Sequence, residues 1–213
     1  MNFSEVSSET VATTYNKIAK EFKNSRHYNW KWITQFISNI NVDNANANII
    51  DIGCGGGRNI KAYQNDKLNI VGIDNCIEFI KICRNEGLDV VLADMTSIPH
   101  PDGNFDYILS IASFHHLTNR QQRIKALTEF RRILKPGGKV LLSVWSKTQP
   151  LKTKRVFTNW GDTIVPWKSL TGEVFNRYYY IFKIPEIEEL FEMTGFKIES
   201  HSWDCGNEVF ILK

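Results

Sequence analysis

The stretch Asp51-Ile-Gly53-Cys-Gly55-Gly-Gly57-Arg-Asn59 decides the fold. It follows a strand-length apolar run, 48–52, and leads into helical periodicity over 58–65. Glycines at such a crossing let the backbone turn tightly and approach a ligand with no Cβ in the way. Working outward, further apolar runs of strand length stand at 69–73, 89–93, 107–111 and 139–144, with helical periodicity at 76–86 and 119–134. Strands alternating with helices predict βαβ units and a buried parallel sheet. Upstream, Val11, Tyr15, Ile18, Ala19 and Phe22 predict an amphipathic helix over 8–23, and Trp30, Ile33, Phe36, Ile37 and Ile40 another over 30–40. Downstream, 146–183 is a long basic and aromatic segment, followed by a helix at 185–194 and strands at 196–203 and 207–212. The short Asp204-Cys-Gly-Asn207 connection predicts a terminal hairpin whose last strand runs antiparallel to the rest.

The expected architecture is therefore α/β and Rossmann-like, a seven-stranded mixed sheet with an antiparallel last strand and an N-terminal helical cap. One domain covers 1–213, divided into the cap (1–47), a cofactor-binding core (48–145), a substrate-loop segment (146–183) and a terminal helix and hairpin (184–213). The 213 residues, 42% hydrophobic and 23% charged, suit one globular domain. No apolar run reaches the roughly 18–20 residues needed to cross a bilayer, and no signal-peptide pattern opens the chain, so a cytoplasmic protein is expected. Cys54, Cys76, Cys83 and Cys205 match neither a zinc spacing nor a disulfide framework, and reduced thiols and no metal are expected. Charge is segregated: 17–31, 120–135 and 147–177 together hold 17 of the 26 bases and 4 of the 23 acids. If these segments meet in space, one face is cationic and suits nucleic acid.

The glycine pattern is G-x-G-x-G, with Arg58 where the third glycine of a dinucleotide fingerprint would stand, which disfavours a nicotinamide dehydrogenase. Asp51, just before the turn, would repel a pyrophosphate but can organise an amino-acid moiety. Two more acids follow the next strands: Asp74, placed to accept ribose hydroxyls, and Asp94, placed to accept an exocyclic amine. One such acid could be a helix cap. Three at successive strand ends point to S-adenosylmethionine. After the fourth strand, Ser110-Ile-Ala-Ser-Phe-His115-His116 brings His116 beside the reacting centre as a candidate substrate contact.

With Asp51–Gly57, Asp74, Asp94, Phe105–Ser110 and Leu134-Lys-Pro-Gly-Gly138, the chain resembles class I S-adenosylmethionine-dependent methyltransferases over 48–145. Tyr15–Phe22, Ser25-Arg26 with Trp30, His115-His116, Val165-Pro-Trp167 and Arg177-Tyr-Tyr-Tyr180 extend the resemblance to one subfamily. It is the fungal tRNA wobble-uridine carboxymethyl methyltransferases, shared with the methyltransferase module of the animal alkylation-repair homologue.

That resemblance implies methyl transfer to the carboxylate of 5-carboxymethyluridine in tRNA. Tyr15, Asp51, Gly53, Cys54, Gly55, Gly57, Asp74, Asn75, Asp94, Met95, Ser110 and Ile111 are the expected cofactor contacts. Arg26 and Arg177 are the candidate carboxylate clamps, with His116 beside them, and Tyr28, Trp30, Trp145, Trp167 and Tyr178 the candidate walls for a splayed base. It also implies a small zinc-binding activator protein docked on the sheet edge at Leu88–Ala93. A quinone-biosynthesis-like small-molecule methyltransferase and a catalytically silent scaffold are the alternatives; the first would not need the basic segments, and the second predicts damaged cofactor motifs.

Overall fold

The computed structural model describes residues 3, 6–25, 29–40, 47–65, 67–153 and 155–213; Arg26 and Tyr28 lie outside the described residues. Helix α1 (Ser8–Asn24) begins where the Ser7 side chain accepts the Thr10 amide and Thr10 returns the bond to the Ser7 amide, a capping box. Its spacing buries Val11, Tyr15, Ile18 and Ala19 along one stripe. Helix α2 (Lys31–Ser38) buries Ile33, Phe36 and Ile37.

The core alternates as the sequence predicts: β1 (Ala47–Ile52), α3 (Arg58–Tyr63), β2 (Leu68–Asp74), α4 (Ile77–Asn85), β3 (Val90–Leu92), β4 (Phe105–Ile111), α5 (Arg120–Ile133) and β5 (Leu134–Trp145). A two-stranded unit, β6 (Gly161–Lys168) and β7 (Val174–Ile181), comes next, then α6 (Ile184–Met193), β8 (Ile198–Asp204) and β9 (Asn207–Leu212). The main sheet has seven strands in the order β3-β2-β1-β4-β5-β9-β8. β1 to β5 are mutually parallel, and β9 runs antiparallel between β5 and β8, its first residue Asn207 paired with Trp145 at the last residue of β5.

Both sheet faces are covered, which is why the inner strands read as unbroken apolar runs. Ile50 and Ile52 face the layer of α5 and α6, whereas Ile49 faces the layer of α2 and α4. Crossovers leave β1 toward β2 on one side and β4 on the other, opening a crevice at the carboxyl ends of these strands.

The segment 146–183 departs from the loop expected of it. Within it, β6 and β7 form a separate antiparallel sheet in continuous register from Gly161↔Ile181 to Lys168↔Val174. Polar–apolar alternation is hidden there because both faces of β7 are occupied: Tyr178 packs with Val11 and Phe79, Tyr179 with Trp145 and Phe157. Among the described residues no helix is long and apolar enough to cross a membrane.

The three basic segments do not share one face. Arg123 is buried with its guanidinium 3.4 Å from the Tyr180 ring centroid, Arg120 pairs with Glu189, and Lys135 with Asp106. Arg132 donates to Glu129, Asp102 and the carbonyls of Ile98 and His100. Arg120 and Arg132 of α5 are thus matched by acids and Arg123 is buried, and the last turn of the helix, leading straight into the first residue of β5, lies at the end of the sheet away from the crevice. Lys23, Arg58, Lys61 and Arg155, from the other segments and from α3, do line the crevice.

Candidate active site

The crevice is a cavity of about 610 Å³. Its floor is the glycine turn. Gly53 has φ 75°, and a Cβ there would stand 2.4 Å from that of Ser113, so only glycine fits. Asp74 ends β2 and braces the turn: one carboxylate oxygen accepts the Gly55 amide at 2.8 Å, the other the Cys76 amide at 2.9 Å. Burial nevertheless pushes its pKa up to about 6. A carboxylate offers about four lone-pair sites, so two remain for hydroxyl donors.

Asp51 lies beneath this floor, 1% exposed. One oxygen accepts from Asn59 Nδ2 at 3.1 Å; the other has no partner among the described residues. Burial raises its pKa to about 7, opposed by the Asn59 bond and the nearby Arg58. A buried carboxylate oxygen left unpaired is costly unless a donor completes it, which fits the ammonium of an amino-acid moiety. Asp94 uses one oxygen to hold the amide and hydroxyl of Thr96 and lines the cavity. These residues fit S-adenosylmethionine.

Beyond the glycine turn a chain of hydrogen bonds crosses the site. His116 Nδ1 lies 2.7 Å from the Tyr178 carbonyl, which can only accept, so this nitrogen carries the proton. Burial lowers the His116 pKa to about 4, so the ring is neutral and Nε2 must accept from the Tyr15 hydroxyl at 3.1 Å. Tyr15 in turn accepts from Tyr179 at 3.3 Å, and Tyr179 from Arg177 Nη1 at 2.9 Å. Every donor in the series from guanidinium to carbonyl therefore points the same way. His115 is separate: fully buried, neutral, its Nδ1 accepting the Trp145 amide at 3.0 Å.

Most of the expected residues converge. Tyr15, Gly53, Cys54, Gly55, Asp74, Asn75, Asp94, Met95 and Ile111 line the cavity, as do Trp30, His116 and Trp145. Others do not. Ser110 is fully buried behind Ser113, their hydroxyls 3.0 Å apart. Gly57 starts α3 with φ 73°, and a Cβ there would meet Leu88 at 2.3 Å, so its role is packing. Tyr178 points away from the cavity, with its hydroxyl on Asp162 at 2.5 Å, because period-two alternation turns Tyr179 inward instead. Trp167 packs against Phe175, on the α1 side of the hairpin. Arg177 stands one layer back, 3% exposed, behind Tyr179.

Sequence reasoning missed Tyr179, Gln149, Arg155 and Asn207. Trp145 is stacked on Tyr179 with centroids 4.0 Å apart and carries the Arg155 guanidinium 4.1 Å from its ring centroid. It is a wall already engaged with protein groups, 9% exposed, rather than an open platform. The density of aromatics and bases in 146–183 was the signal; which of them face inward depends on the hairpin register.

Comparison with known proteins agrees with this geometry. A family model described as a methyltransferase domain matches residues 50–142. The chain is 33% identical to the tRNA (carboxymethyluridine(34)-5-O)-methyltransferase of Schizosaccharomyces pombe, over 95% of each. It is 32% identical to the probable tRNA methyltransferase 9B of Homo sapiens, over 81% of this chain and 36% of that longer protein. Among solved structures, a chain of the complex between the Haloferax volcanii Trm112 methyltransferase activator and its methyltransferase superposes with TM-score 0.69, at 16% identity, over 95% of this chain and 96% of that one. The chain belongs to the S-adenosylmethionine-dependent methyltransferase family that includes the fission-yeast tRNA (carboxymethyluridine(34)-5-O)-methyltransferase.

Proposed function

We propose that this protein methylates the carboxylate of 5-carboxymethyluridine at the wobble position of tRNA, giving the methyl ester. The observation that carries the reading is the charge state of Arg177: a guanidinium 3% exposed with no carboxylate partner among the described residues. A buried cation without a counter-charge is costly, and an anion entering the cavity repays that cost. An acceptor carboxylate supplies the anion. With a pKa near 4 it is ionised at neutral pH, so no general base is needed. The neutral His116, both nitrogens engaged, suits a site that orients rather than deprotonates.

S-adenosylmethionine supplies the electrophilic methyl group. In this reading Asp51 takes its ammonium, Asp74 the ribose hydroxyls and Asp94 the adenine amine, while Tyr15 and His116 flank the reacting end. Arg26 and Tyr28 belong to the same assignment on sequence grounds. Arg58 and Arg155 support an approach by the tRNA backbone toward the cavity mouth, whereas Lys23 and Lys61 are both paired with Glu86. The test is incubation of the purified protein with S-adenosylmethionine and tRNA carrying 5-carboxymethyluridine, followed by nucleoside mass spectrometry. Conversion to the methyl ester is expected; recovery of the unchanged acid contradicts the assignment.

A small zinc-binding activator is proposed for the free edge of β3. β3 is short, Val90–Leu92, and pairs only with β2 among the described strands; Leu92 is 47% exposed, and an unpaired outer edge invites strand addition. The fold shared with a methyltransferase solved with an activator supports the pairing. Four free cysteines support a reducing, cytoplasmic setting.

A further inference from the structure

We infer that Asn207 reads the base: its Oδ1 accepts the N3–H of the target uracil and so selects uracil over cytosine. This rests on the carboxymethyluridine reading above. Asn207 opens β9 opposite Trp145, lines the cavity and is 3% exposed. Its Nδ2 donates to the Asp204 carbonyl at 3.3 Å, and since a carbonyl can only accept, this bond settles which amide atom is which. Oδ1 is then a buried acceptor with no partner among the described residues.

The neighbouring side chain does not complete it. Gln149 donates both to the Ser146 carbonyl at 2.7 Å and to the Gly206 carbonyl at 2.8 Å, and its oxygen is taken by Arg155. Among the described residues no donor completes it, and a ligand in the cavity can. The cofactor is a poor source, because its donors are matched by Asp51, Asp74 and Asp94 at the ends of β1, β2 and beyond β3. Asn207 lies on the other side, three strands from β1 in the order β1-β4-β5-β9, or about 14 Å at the usual strand spacing. That is the acceptor side of the cavity. Uracil has one ring donor, N3–H; cytosine has a lone pair there, which would face Oδ1 and leave both acceptors unpaired.

The test compares anticodon stem-loops carrying 5-carboxymethyluridine and its N3-methyl derivative in methyl transfer by the full chain. Wild type is expected to favour the parent by about 10- to 100-fold in kcat/KM, the cost of an unsatisfied buried acceptor. Asn207→Ala should lower transfer to the parent by a similar factor and bring the ratio of the two substrates toward one, with cofactor affinity unchanged. Asn207→Asp, which keeps an acceptor, should keep the ratio even though the rate falls. Equal rates on the two substrates in wild type, or an unchanged ratio in Asn207→Ala, overturn the assignment. So does a loss of cofactor affinity in Asn207→Ala with discrimination intact. No transfer by wild type to the parent overturns the uridine reading itself.

Discussion

The hydroxyl of Tyr15 lies 3.1 Å from Nε2 of His116, tying the cap helix to the turn after β4. Because the His116 proton is fixed on Nδ1 by the Tyr178 carbonyl, Tyr15 is the donor in that bond. Tyr15→Phe leaves His116 Nε2 without a donor and the Tyr179 hydroxyl proton without an acceptor, at an expected cost of about 1–3 kcal/mol. Tyr179→Phe cuts Arg177 from the chain but leaves the Tyr15–His116 bond. Tyr179→Phe also leaves the buried Arg177 Nη1 without its acceptor, so thermal unfolding and single-turnover methyl transfer should show both variants less stable and slower than wild type. Wild-type stability and rate in both variants would contradict the directional chain.

Asp74 both braces Gly55 and faces the cavity, so its loss should act on the cofactor first. Asp74→Ala should weaken S-adenosylmethionine binding by about 10- to 100-fold, the range for lost hydrogen bonds to a charged acceptor. Calorimetry measures this directly, and undiminished affinity would remove the ribose assignment.

The two raised carboxyls set opposite pH slopes for stability and binding. Asp51, at about 7, and Asp74, at about 6, hold protons in the folded chain that the unfolded chain, with pKa values near 3.8, has released. Between about pH 4 and 7 the folded state binds more protons, so the stability of the cofactor-free protein falls as pH rises through that window. Cofactor binding favours the ionised acids, so affinity should rise over the same window. Unfolding temperatures across pH, with and without S-adenosylmethionine, should show the stabilisation by cofactor growing with pH. A stabilisation independent of pH would contradict ionised Asp51 and Asp74 as its ligands.

The sheet was legible in the sequence because parallel strands buried on both faces leave continuous apolar runs, and the glycine turn with its three acids located the cavity. The hairpin in 146–183 was not. In β7, three consecutive buried residues, Arg177, Tyr178 and Tyr179, mask the period-two signal, so nothing local says that Tyr179 rather than Tyr178 turns inward. Asn207 was equally silent, since its importance comes from its register opposite Trp145 and from an orphaned oxygen, both properties of the fold. The basic run of α5 misled for a related reason: Arg132 and Lys135 have acid partners distant in sequence, Asp102 and Asp106.

Charge around the mouth should steer tRNA, and charge on α5 should not. Charge reversal of Arg155 should weaken tRNA binding and reduce its salt dependence by about one unit of slope. Arg131→Glu, on the last turn of α5, should leave both unchanged. Filter binding across a salt series distinguishes the cases; equal losses for Arg131 and Arg155 would restore a single basic face.

The most direct measurement is single-turnover methyl transfer to a tRNA carrying 5-carboxymethyluridine, set against the same tRNA with the uncharged amide, in wild type and Arg177→Lys. Wild type should transfer to the acid and not detectably to the amide. Arg177→Lys, which keeps the charge but loses the guanidinium Nη1 that donates to Tyr179, should slow transfer to the acid sharply while cofactor affinity stays constant. Equal rates on acid and amide, or a wild-type rate in Arg177→Lys, would contradict a site built around an acceptor carboxylate.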